Sequence, residues 1–187
     1  MSVKFGYFHI NKKLYSGKCS ILPEKEKKEY GYNVDSDQFC KFIISTIGLV
    51  DKCFNIAPKI DKDLVVFRMS SRDDLNNLKI GDYFLENNFS STSLSPSYPF
   101  TFYNTDNKYN NYFEIFVPKN SFGFYFNIKF TQEKNKSIDE YEFILPRETT
   151  YKILKKKFIK NKTKKITKFT LLLVNSNFEK YKIKNIN

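Results

Sequence analysis

Asp139-Glu140-Tyr141-Glu142-Phe143-Ile144-Leu145-Pro146 is the stretch whose reading decides the fold. Two glutamates, one residue apart, head an apolar run that stops at a proline. Successive side chains of a β-strand point to opposite faces. As a strand, the stretch puts Glu140, Glu142 and Ile144 on one face and Tyr141, Phe143 and Leu145 on the other. Two neighbouring carboxylates on one face repel each other, an arrangement most easily justified where a cation must be held. The plain alternative is a solvated edge strand, since charged positions on strand faces are common. The rest of the chain has to decide between them.

Working outward, the 187 residues suit one domain, with a core of useful size. The 41% hydrophobic content, with 20 Phe, 13 Tyr and no Trp, is not a disordered composition. No apolar run approaches the length of a membrane span, and the first ten residues lack a secretory signal pattern. The expected setting is therefore a cytosol, either where the protein is made or one reached through another delivery machine. Cys19, Cys40 and Cys53 show no metal-ligand spacing and are expected as reduced thiols, partly in the core. His9 alone excludes any mechanism that needs a histidine pair.

The net charge of +12 is unevenly placed. Residues 151–187 hold 12 lysines against the single acid Glu179, so +11 lies in the C-terminal end. Lys155 to Lys168 contains eight lysines in 14 residues, interleaved with Phe158, Ile159 and Ile166. That stretch reads either as a lysine-rich hairpin that aids solubility or docks an acidic protein, or as a site for nucleic acid or another polyanion.

In chain order, Val3 to Ile10 reads as a short strand. Asp35 or Ser36 is the expected N-cap of a helix whose core stripe is Phe39, Ile43, Ile47, Val50 and Phe54, ended by Pro58. Leu64 to Arg68 is a buried strand with a cation at its end, and a buried arginine needs a partner. A short helix capped by Ser71 leads to Gly81. Ser90 to Ser93 is either a loop or a strand with Ser91 and Ser93 on one face. Tyr112 to Val117 and Phe122 to Phe130 are strands, with Gly123 placed to allow a bulge. Thr131 to Ile138 is a polar loop, the glutamate strand follows, and Lys168 to Val174 is the last strong strand. Helix first and antiparallel strands after is an α+β layout. The expected division is an N-terminal segment 1–35, a domain 36–175 and a tail 176–187.

Three of these pieces occur in a telling order: Val65-Val66-Phe67-Arg68, then Phe89-Ser90-Ser91-Thr92-Ser93, then Glu140 to Pro146. The order resembles the Arg–Ser–Glu class of toxin-like mono-ADP-ribosyltransferases, related to the catalytic subunits of binary actin-modifying toxins. Leu78 to Asp82, Ile115 to Lys119 and Phe122 to Phe126 are similar to the family's flanking segments, so the resemblance covers roughly residues 36–174. It implies an N-terminal helical part packed on a split antiparallel β-sandwich. It also implies NAD as substrate, no metal, and a monomer that modifies a protein target on arginine without engaging a membrane.

By the same resemblance, Arg68 contacts the NAD phosphate, where a guanidinium fork suits phosphate oxygens. Ser91 hydrogen-bonds Glu142, while Thr92 and Ser93 support the strand and the cofactor edge. Glu142 holds the nicotinamide ribose and stabilises the charge that develops as nicotinamide leaves. Glu140 orients the acceptor and takes its proton; a glutamate there goes with arginine acceptors. Phe100, Phe102 and Tyr103 are the aromatics from which a nicotinamide-stacking residue would come, with Phe102 carried among the cofactor-binding candidates. The loop Thr131 to Asp139 would recognise the target. Two departures stand out: Met69 occupies a position usually held by glycine, and the recognition loop lacks an aromatic at its tip. The alternatives are an NAD glycohydrolase, an inactive NAD-binding module, or a polyanion binder acting through the lysine-rich stretch.

Overall fold

The computed structural model describes residues 3–19, 35–99, 109–126, 130–132, 136–138, 141–161 and 164–176. Two compact units divide the chain, residues 1–56 and 57–187.

The first unit holds helices α1 (Val3–Ser16) and α2 (Ser36–Ile56). Asp35 is the N-cap of α2: its carboxylate accepts from Gln38 N at 2.7 Å. Phe39, Ile43 and Phe54 are buried along the expected stripe, and the helix passes through Gly48 without interruption. Two expectations fail here. Val3 to Ile10 is helical rather than extended, because its apolar residues belong to a helix that continues through Asn11 to Ser16. Cys19 and Cys40 are joined in a disulfide, with Cα atoms 5.5 Å apart, so only Cys53 keeps the expected free thiol. Nothing in the spacing of the cysteines signals this pairing. It depends on the end of α1 returning to the first turns of α2.

The second unit is built on an eight-stranded sheet in the order β2-β9-β10-β4-β1-β3-β8-β5. Its strands are β1 (Leu64–Ser70), β2 (Tyr83–Glu86), β3 (Ser90–Ser93), β4 (Asn111–Val117), β5 (Phe124–Phe126), β8 (Glu142–Leu145), β9 (Thr149–Asn161) and β10 (Lys164–Ser176). All pairings are antiparallel except that of β4 with β10, which is parallel. Thr131 to Ile138 is not a plain loop, because β6 (Phe130–Gln132) and β7 (Lys136–Ile138) pair as a small hairpin. Asp73–Asn77 forms a 3-10 turn capped at Arg72 without a side-chain cap bond, so Ser71 is not the cap. Gly81 takes a left-handed φ of 95° and donates to the Ile153 carbonyl at 2.8 Å, which ties the turn before β2 to β9.

Val66, Phe113, Ile115, Phe143, Leu145 and Phe169 belong to the main core on one face of the sheet. Phe84 of β2 and Phe113 of β4 stand three strands apart in the sheet order, yet their rings are 6.2 Å apart. A flat sheet would separate those strands by about 14 Å, so the sheet curls around this core. The core side is its inner face. The outer face carries a smaller buried cluster of Met69, Tyr112 and Ile166.

Gly123 sits just before β5. A Cβ placed there would lie 2.5 Å from the ring of Phe143 and 3.3 Å from Ile60 Cδ1. The glycine is needed for this close approach, not for a bulge. Phe143 is buried and cannot swing aside. Gly123→Ala is expected to destabilise the protein by about 1–3 kcal/mol through overpacking, read as a lowered midpoint in urea unfolding. Loss of the disulfide acts elsewhere. Its loop spans 21 residues of sequence, for which chain-entropy arguments give about 3 kcal/mol. Reductant, or Cys19→Ser with Cys40→Ser, is expected to lower the melting temperature of the helical signal in circular dichroism. Unchanged melting would show that the cross-link does not restrain the helices.

Candidate active site

The hydroxyl run Ser90-Ser91-Thr92-Ser93 is a strand, and its neighbours explain why. β3 lies between β1 and β8, with Ser93 opposite Phe67 on one side and opposite Glu142 on the other. A buried central strand of small polar residues requires every hydroxyl to find a partner. Thr92 Oγ1 donates to the Phe143 carbonyl. Ser93 Oγ accepts from Ser95 N at 3.0 Å and turns the chain out of the strand. Both side chains therefore brace the strand and its exit.

Ser91 and Glu142 meet directly: Ser91 Oγ donates to Glu142 Oε1. The register explains the contact. Glu142 lies opposite Ser93 and Ser91 lies opposite Ile144, so both residues point to the outer face and Ser91 reaches the carboxylate diagonally. The residues on either side of Glu142 behave differently. Phe143 enters the core, and Tyr141 has a left-handed φ of 43°, unusual for an aromatic residue. Its carbonyl accepts from Leu94 N at 3.1 Å, which clamps this backbone to the end of β3. The strand therefore starts at Glu142, directly after the break at Tyr141.

Arg68 is half-buried near the end of β1 and donates from Nη1 to Ser90 Oγ at 2.8 Å. Its cross-strand neighbour Phe113 is a core residue, so Arg68 belongs to the inner-face row while Ser91 and Glu142 belong to the outer. Arg68 and Glu142 thus engage successive hydroxyls of one strand from its two sides. Sequence reasoning singles out Arg68 but misses Ser90, whose only signal is that it begins the hydroxyl run.

Met69 is 4% exposed and packs with Tyr112 and Ile166 on the outer face. In place of the usual glycine, its side chain is accommodated by this cluster. Burial and the Glu114 carboxylate push the Tyr112 hydroxyl above its ordinary pKa. It stays protonated at neutral pH and donates to the Pro96 carbonyl at 3.1 Å, fixing the chain that follows β3. Lys168 bridges to Glu114 on the same face. Glu140, Phe100, Phe102 and Tyr103 lie outside the described residues, as do residues 133–135 and 139 of the expected recognition loop. Among the described residues, no cluster of three or more His, Cys, Asp or Glu side chains has the arrangement of a metal site.

The fold recurs in known toxins. C3larvin toxin, an ADP-ribosyltransferase from Paenibacillus larvae, is 20% identical, with 93% of this chain and 82% of that one aligned at a TM-score of 0.55. An ADP-ribosyltransferase from Clostridium botulinum, solved in a triclinic form, is 17% identical over 92% and 84% of the two chains, with a TM-score of 0.58. BECa, the ADP-ribosylating component of a binary enterotoxin of C. perfringens solved with NADH, reaches a TM-score of 0.62 at 15% identity. That alignment spans 92% of this chain but 41% of BECa. No curated protein matches the sequence. The family model for ADP-ribosyltransferase exoenzymes matches residues 3–177. With nearly the whole chain matched, and with the serine–glutamate contact across the adjacent strands β3 and β8, the protein belongs to the ADP-ribosyltransferase exoenzyme family.

Proposed function

We propose that this protein transfers a single ADP-ribose from NAD to an arginine side chain of a protein target, releasing nicotinamide. The observation that carries the reading is the hydrogen bond from Ser91 to Glu142 on the outer face. A carboxylate oriented by a hydroxyl, at the head of a strand locked by core packing, is suited to face positive charge that develops on a ribose. Family membership and the solved relatives, one bound to NADH and another, exoenzyme S from Pseudomonas aeruginosa, bound to carba-NAD, support NAD as the donor.

In this reading the bond between nicotinamide and C1′ of the ribose breaks, its electron pair leaving with the now neutral nicotinamide. Glu142, held by Ser91, stabilises the resulting oxocarbenium ion. A guanidinium nitrogen of the target supplies the new bond to C1′, and Glu140 accepts the proton it loses. Arg68 contacts the pyrophosphate while Ser90 fixes its guanidinium. Thr92 and Ser93 hold β3, the backbone of Met69 lines the cofactor edge, and an aromatic from among Phe100, Phe102 and Tyr103 stacks on nicotinamide. Arginine as the acceptor rests on Glu140, through the resemblance described above.

Labelled NAD with agmatine as a small arginine mimic, and with a lysate as protein acceptor, tests the assignment. Glu142→Gln is expected to abolish both transfer and NAD cleavage. Glu140→Gln is expected to abolish transfer to agmatine while free ADP-ribose is still released. If Glu140→Gln leaves agmatine transfer intact, arginine specificity has another origin; if the wild type releases only free ADP-ribose, the protein is a glycohydrolase. Ser91→Ala, which leaves Glu142 without its hydroxyl donor, is expected to lower kcat about 10–100-fold, on the scale of lost positioning and electrostatic contacts. The KM for NAD should change much less. A proportionate rise in KM with kcat preserved would show that Ser91 serves binding alone.

A further inference from the structure

The outer face of the sheet continues from Glu142 into a surface that catalysis does not use. The pairings link Glu142, Ser93, Phe67, Glu114, Thr170 and Lys155 into one row running from β8 to β9. The next row toward β2 is Tyr83, Lys152, Leu172 and Phe116, four cross-strand neighbours on the same face. In this row Tyr83 is 55% and Phe116 39% exposed, and Leu85, two residues on from Tyr83, is 43% exposed. Several large apolar side chains exposed along one sheet face and interleaved with charge are the mark of a partner site rather than of solvated surface.

Among the described residues, the charge beside them that has no ion-pair partner is lysine. Lys155 and Lys157 are exposed on this face, and Lys152 lies over the Tyr83 ring at 5.5 Å. Among the described residues, none of these three has a carboxylate partner, whereas Lys168, directly across from Lys157, is neutralised by Glu114. Like charges gathered along one strand weaken the fold slightly and remain available to an incoming anion.

We infer that the outer face of β2, β9, β10 and β4 is a docking surface for a protein partner whose surface interleaves carboxylates with aliphatic side chains. Charge complementarity selects the carboxylates, and Tyr83, Leu85 and Phe116, set on either side of Lys152 and Leu172, select the apolar contacts. A polynucleotide satisfies the lysines and stacks its bases on Tyr83 and Phe116, but it offers no match to the aliphatic Leu85 and Leu172 beside them. A bilayer requires apolar groups that insert together beneath the headgroups, whereas Tyr83 and Phe116 stand at opposite ends of a four-strand row with Lys152 between them. The inference rests on the surface alone and holds whichever acceptor the enzyme uses.

Fluorescence anisotropy with a labelled acidic peptide of interspersed glutamate and leucine tests it, against an all-glutamate peptide, an oligouridylate and phosphatidylserine vesicles. Two charge-matched variants separate this face from general basicity. Lys155→Glu with Lys157→Glu alters the outer face, while Lys160→Glu with Lys165→Glu alters the opposite face of the same hairpin. The first pair, and separately Tyr83→Ser with Leu85→Ser, are expected to weaken binding of the mixed peptide about tenfold or more. The second pair should leave that binding within about twofold. Equal loss in both lysine pairs, no preference over the all-glutamate peptide, or tighter binding of the oligouridylate or vesicles would overturn the inference. Release of ADP-ribose from NAD without acceptor should be unchanged in all three variants, which shows that they fold. A wild type that cleaves no NAD would sink the enzymatic reading while leaving the binding result, with circular dichroism as its folding control, intact.

Discussion

The antiparallel register of β3 against β8 is the constraint on which the site depends. With Ser93 opposite Glu142, the carboxylate faces outward, Ser91 reaches it diagonally and Phe143 enters the core. A slip of one residue would exchange every one of these positions, burying Glu142 among the core side chains and exposing Phe143. Burying an unpaired carboxylate there is costly enough to exclude the slipped form. Core packing thus selects the register, and the register in turn orients the carboxylate. The core of this half of the sheet therefore sets the geometry of the proposed site even though none of its side chains has chemistry to perform.

Two local features hold Glu142 at the point where ordered pairing begins. On one side Gly123 lets the Phe143 ring lie against the backbone before β5. On the other, Tyr141 carries a left-handed backbone, at a cost of about 1–3 kcal/mol by the usual scale for such residues. That conformation breaks the alternation just ahead of Glu142 and is kept by the bond from Leu94 to the Tyr141 carbonyl. An uninterrupted strand would fix every side chain on one of two faces.

Much of this was legible in the sequence because the signals were local. The α2 stripe of Phe39, Ile43 and Phe54, the Asp35 cap and the apolar strand carrying Arg68 each follow from periodicity and capping, and each occurs as expected. The ordered Arg, Ser-Thr-Ser and Glu elements identified the family because three weak motifs in sequence order restrict far more than any one alone. What escaped was non-local. The Cys19–Cys40 link depends on two helices folding back. The parallel pairing of β4 with β10 joins strands some 50 residues apart, beyond the reach of any hairpin signal. Ser90 was overlooked as the partner of Arg68 because the register, not the residue type, decides which of four adjacent hydroxyls faces the guanidinium.

The two faces of the sheet carry different demands, and their residues differ accordingly. The inner face is largely apolar, and its cation near the site, Arg68, is satisfied at the end of its strand by Ser90. The outer face alternates buried, acidic and basic positions: Glu142 at one end, the Glu114–Lys168 pair in the middle, and Lys155 and Lys157 at the other end. Since a pleated strand assigns faces by parity, a chain can change this outer pattern without disturbing the core, provided that the register stays fixed. Lysines concentrated in β9 and β10 therefore cost the fold little while altering what the outer face attracts. In this architecture the proposed catalytic carboxylate and the proposed docking charge can vary independently, because the core fixes the position of both and supplies the chemistry of neither.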